Sequence, residues 1–91
     1  MNMPNYIEGQ LVAIAVKVGA AHHGVVGKVV HIVPQGKVRT ASPVYIIDIS
    51  EDETPRLELR EQPFVWPTLA AYRDEMRRRA MTYAAGTRGR F

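Results

Sequence analysis

Six arginines crowd the final quarter of the chain: Arg73, Arg77, Arg78, Arg79, Arg88 and Arg90. A guanidinium presents a planar fork of donors that grips phosphate in two places and stacks on flat rings. Tyr72 and Tyr83 lie close enough in sequence to offer such rings. Together with Lys28 and Lys37, these arginines form the set suited to RNA or single-stranded DNA. The three histidines point to less. Adjacent His22 and His23 would face opposite sides of a strand, and no spacing forces His31 and an acid to converge on a metal. Asp48, Glu51, Asp52 and Glu53 lack the ligand spacing and central glycine of a calcium loop and read as a solvated turn. No Ser-His-Asp or Cys-His arrangement, phosphate loop or framed carboxylate pair is legible, so no catalytic residue, metal or cofactor is expected.

Aromatic residues suggest a different use. Tyr45, Phe64 and Trp66 stand in or beside apolar runs, and aromatic side chains dominate the energetics of binding surfaces. The preferred reading is a non-catalytic interaction module that takes a protein or peptide in an apolar groove around these three. Nucleic-acid binding through the arginine-rich segment is the alternative. Charge distribution fits both. Residues 1–47 carry four cations against one acid, residues 48–66 two against six, and residues 67–91 six against two. The basic excess therefore sits at the C-terminal end, and the acidic stretch is suited to lie near it, within one chain or between copies. There is no cysteine, and the N-terminus lacks the basic and apolar regions of a leader. The longest apolar stretch, residues 11–16, is too short to span a bilayer. The expected compartment is the cytoplasm, with no membrane partner.

These residues need elements to hold them. Residues 11–18 alternate Val12, Ile14, Val16 and Val18 with Leu11, Ala13, Ala15 and Lys17, which is the period of a strand. A glycine-rich loop leads to a second strand over 25–33, with Gly27 as a bulge, and Gln35-Gly36 makes a turn. Residues 44–49 form a third strand. Arg56-Leu57-Glu58-Leu59-Arg60 forms a fourth with Leu57 and Leu59 inward, and Phe64-Val65-Trp66 a short fifth that closes a barrel. After Trp66 the period lengthens. Pro67 and Thr68 open a helix whose stripe is Leu69, Tyr72, Met76, Ala80 and Tyr83, with Asp74–Arg78 and Glu75–Arg79 as i,i+4 pairs and Gly86 as its stop. The organisation is an N-terminal arm (1–9), a barrel (10–66), an amphipathic helix (67–86) and a mobile basic tail (87–91). The apolar run at 44–47, with Phe64, Trp66 and the helix stripe, exceeds what so small a barrel can bury, so a homo-oligomer is expected.

The series Gly24, Gly27, Lys28, Val29, Ile32, Gly36, Lys37 and Val38 resembles the KOW motif of SH3-like barrels, found in ribosomal proteins and NusG-type transcription factors. The resemblance covers residues 10 to about 50 and implies a mainly β fold, a five-stranded SH3-like barrel followed by the C-terminal helix, with RNA or protein contacts through its loops. Two features depart from that family: Gly19 and Gly24 enclose four residues instead of three, and the loop reads Ala20-Ala21-His22-His23 where Lys and Arg are common. The stretch from Lys17 to Gly24 is also similar to the Gly-Ala-Ala-x-x-Gly of type II dihydrofolate reductases, which are oligomeric barrels with a central pore. The strand comparable to their pore-lining run reads Val44-Tyr45-Ile46-Ile47, without the Gln and Tyr in place, so an oligomeric-barrel reductase is a remote third reading.

Overall fold

The computed structural model describes residues 3–34, 42–50 and 54–88, with side chains in the last segment as far as residue 82. Four strands, β1 (Leu11–Val18), β2 (Ala21–Val33), β3 (Val44–Asp48) and β4 (Leu57–Glu61), form one antiparallel sheet in the order β1-β2-β3-β4. The sheet curls into a half-barrel. A 3-10 turn over Gln62–Phe64 and a helix, α1 (Leu69–Arg88), follow. The expected fifth strand is not formed. Phe64 ends the 3-10 turn, and Trp66 makes only an isolated bridge to Ala13, with both backbone hydrogen bonds in place at 2.8 and 2.9 Å.

The core follows from alternation. Val12, Ile14 and Val16 of β1 face inward, meeting Val29 of β2 and Tyr45, Ile47 and Ile49 of the third strand and its exit. Each such side chain contributes about 1.5–3 kcal/mol by leaving water. The N-terminal arm contributes Tyr6 to this core. Tyr6 is buried, donates its hydroxyl to the Val65 carbonyl at 2.9 Å, and packs edge-on against Tyr45 with ring centroids 5.3 Å apart. Burial and the neighbouring Tyr45 phenol push the Tyr6 hydroxyl above its ordinary pKa. Tyr45 in turn accepts from the Asn5 N–H and donates to the Gln62 side-chain carbonyl.

The glycines act differently from the sequence reading. The loop between the first two strands is a two-residue turn, Gly19-Ala20, with Gly19 at φ 63°. Residues 21–24 are already strand, so β2 is 13 residues long. The bulge falls between Val29 and His31, past Gly27. Gly27 serves close approach: a Cβ there would lie 2.6 Å from Ile47 and 2.9 Å from the Asp48 carbonyl. The face of β4 is also reversed. Leu57 and Leu59 are 57% and 61% exposed, because they pair with Asp48 and Ile46 on the outer side of the sheet.

The Thr68 hydroxyl caps the helix as expected, accepting from the Ala71 N–H at 3.0 Å. Gly86 does not stop it, and the helix runs on to Arg88, into the segment expected to be a mobile tail. Of the apolar stripe, Tyr72 is buried and Leu69 and Met76 are half-buried, whereas Ala80 is exposed and Tyr83 lies outside the described side chains. Among the described residues, no helix is long and apolar enough to cross a membrane.

Candidate functional site

Alternation on β1 determines what lies outside as well as inside. Its outward residues near the middle are small, Ala13 and Ala15, and across from Ala15 stands Gly24. Three minimal side chains in adjoining strands leave a shallow bed on the outer surface. The first turns of α1 lie there, so close that a Cβ on Gly24 would come within 2.6 Å of the Tyr72 ring and 2.8 Å of Leu69. Trp66, held by its bridge to Ala13, meets Tyr72 edge-to-face with ring centroids 5.0 Å apart. Such pairs contribute about 0.5–1.5 kcal/mol beyond area burial, and this one fixes both rings.

Beside this junction is a groove of about 420 Å³, within the range of roughly 300–1,000 Å³ usual for ligand sites. Phe64, Trp66, Tyr72 and Met76 make its apolar wall, and Ala15 part of its floor. Lys17, His22, Arg60 and Arg79 surround them. Among the described residues, no carboxylate lines the groove. Phe64 is 52% exposed, an unusual condition for a large aromatic residue flanked by other apolar groups.

Arg60 has a particular place. Its Nη2 donates to the Ala15 carbonyl at 2.8 Å, across the gap between β4 and the open edge of β1. Its Nη1 reaches Glu58 at 3.1 Å. Arg79 is paired through Nε with Glu75 at 3.0 Å. Both guanidiniums have further donors, since each carries five N–H bonds. The site can therefore hold a flat or branched apolar group against the aromatic wall while an adjoining anion meets the cations.

The residues singled out in the sequence are divided by the fold. Phe64 and Trp66 are brought together in the groove, but Tyr45 is separated from them, being 0% exposed and part of the core. An inward position on a central strand leaves it no access to a partner. Arg79 joins the groove. Arg73, Arg77 and Arg78 are exposed on the helix, with Arg77 bound to Asp74 at 3.5 Å and Arg78 to Glu75 at 2.7 Å. Of the two expected i,i+4 pairs, Glu75–Arg79 forms, while Asp74 takes Arg77, one residue closer, as an i,i+3 pair. These ion pairs stay within the helix, and Glu58 pairs with Arg60 of its own strand and with Arg56 just before it. Lys28 is exposed on the outer side of the sheet, across from Asp48. Lys37 and Arg90 lie outside the described residues, as does the side chain of Arg88. His22 lines the groove, His23 pairs across from Val16, and His31 stands 3.6 Å from Glu8. Among the described residues, no three His, Asp or Glu side chains gather as a metal site requires.

Lys17, Arg60 and Met76 were not singled out as site residues from sequence. Arg60 sits in an alternating strand like any surface arginine, and only the curl of the sheet brings it to β1. No protein-family model matches the chain, and no curated protein or solved structure is significantly similar to it.

Proposed function

We propose that this protein is a non-catalytic binding module whose groove takes an acidic, apolar peptide segment of a protein partner. The observation that carries the reading is the composition of the groove, an aromatic wall surrounded by cations with no carboxylate among its described lining residues. A segment with one large apolar side chain and a nearby Asp or Glu complements both features. The experiment uses Trp66, the chain's single tryptophan and part of the wall. Its fluorescence is followed as the heptapeptide acetyl-Thr-Thr-Glu-Thr-Phe-Thr-Thr-amide is added. A saturable change is expected, weakened about tenfold when the peptide's Glu is replaced by Lys, and likewise in the Arg79→Ala protein. Equal response to both peptides would remove the electrostatic half of the reading.

The nucleic-acid reading draws support from one observation, the exposure of Arg73, Arg77, Arg78 and Arg79 on one helix. With Asp74 and Glu75 between them, that stretch carries four cations against two acids. Binding of labelled single-stranded RNA that falls steeply with salt and is lost in an Arg77/Arg78/Arg79→Glu variant would favour it over the peptide.

A further inference from the structure

The groove has a backbone as well as side chains. In an antiparallel strand, the N–H and C=O of one residue point to the same edge, and successive residues alternate between edges. Ala13 turns both groups away from β2, since both bond to Trp66. Ala15 and Lys17 therefore turn theirs to the same side, and both residues line the groove. Among the described residues, the bridge at Trp66 pairs this edge at Ala13 alone. One step further along, the Ala15 carbonyl takes its hydrogen bond from a side chain, the Arg60 guanidinium, where a neighbouring strand would supply an N–H.

We infer that the partner segment binds as an added strand, extending the ladder begun by Trp66 along the edge of β1 from Ala15 to Lys17. This rests on the peptide-binding reading above and specifies its geometry. Main-chain hydrogen bonds supply affinity in this mode, and pockets for alternate side chains supply selectivity. Ala15 and Lys17 are two residues apart, on the same face and about 6.7 Å from each other along the strand. A ligand strand in register thus places one side chain over Ala15, against Trp66 and Tyr72, and the next on that face beside Lys17. The first of these is apolar and the second acidic. An exposed lysine on an open edge discourages pairing with apolar strands, and the same charge attracts a carboxylate there. Arg60, displaced from the Ala15 carbonyl by the incoming N–H, keeps Glu58 and gains a second anion within reach.

N-methylation of the heptapeptide, one amide at a time, tests this. Every second N–H of an added strand faces β1, so affinity read from Trp66 fluorescence is expected to fall at least tenfold for one alternating set and to change less than twofold for the other. A series without alternation, whether uniformly unchanged or uniformly weakened, overturns strand addition while the parent peptide's binding leaves the groove reading standing. Absence of any saturable Trp66 response to the parent peptide overturns both.

Discussion

Gly24 and Tyr72 are matched by size: the helix can lie on the sheet only because the strand beneath it lacks a side chain. The Gly24→Ala substitution puts a methyl group where ring carbons already stand, at 2.6 Å. Overpacking of this kind costs about 1–3 kcal/mol, and the thermal midpoint is expected to fall by several degrees, with Trp66 emission shifting as its partner ring is lifted. At Asp48, the electrostatics have a definite sign. Its carboxylate accepts the Ser50 N–H at 2.8 Å, and bonds from the Ser50 side chain and backbone, with a smaller contribution from Lys28, hold its pKa below the ordinary 3.8. Stabilisation from a lowered carboxylate pKa is complete above the unfolded value and disappears as pH falls through the folded one. Asp48→Asn is therefore expected to reduce the loss of thermal midpoint between about pH 5 and about pH 2.5, relative to the unsubstituted protein.

Among the elements, β1 was readable from its letters, because Val-Ala-Ile-Ala-Val states both its period and its inward face. The fourth strand was half readable. Leu-Glu-Leu-Arg-Glu declares alternation, but which face turns inward depends on neighbours, and here the closing contact of Arg60 with β1 places the charged face at the seam. The two-residue turn at Gly19 was concealed by the glycines around it, and Gly24 reads as loop until the helix that needs it is in view. For the site, Phe64 and Trp66 were visible as aromatics in or beside apolar runs, whereas Lys17, Arg60 and Arg79 come from three elements and meet only in three dimensions. In α1, the anchoring side chains among the described residues lie in the first turns, and Arg77 through Thr82 are exposed. Substitutions along it should divide accordingly. Tyr72→Ala removes a buried ring and is expected to cost about 3–5 kcal/mol in chemical denaturation. Ala80→Gly is expected to lower helical circular dichroism, at about 1 kcal/mol of local propensity, while leaving the unfolding midpoint of the sheet nearly unchanged.

For the molecule as a whole, the reversal of β4 moves the unburied apolar surface to the outside of the sheet. Val30, Leu57 and Leu59 are exposed there, with half-buried Ile46 paired across from Leu59. A homo-oligomer is expected to use this face. Sedimentation equilibrium should report mass rising with concentration, and Leu59→Glu should return the monomer. A monomer at every concentration in the unsubstituted protein would end that expectation. The radius of gyration, 15.2 Å, exceeds the about 12 Å of a compact chain of this length. From Tyr72 to its last described residue, Arg88, the helix continues for about 24 Å at 1.5 Å per residue. Its base is the groove wall, where Tyr72 and Met76 would meet whatever enters. A rod seated at one end acts as a pointer. A tilt of about 10° where Tyr72 rests on Gly24 carries the far end through about 4 Å, so a small adjustment at the groove is magnified into a displacement larger than an atom at the far end of the helix.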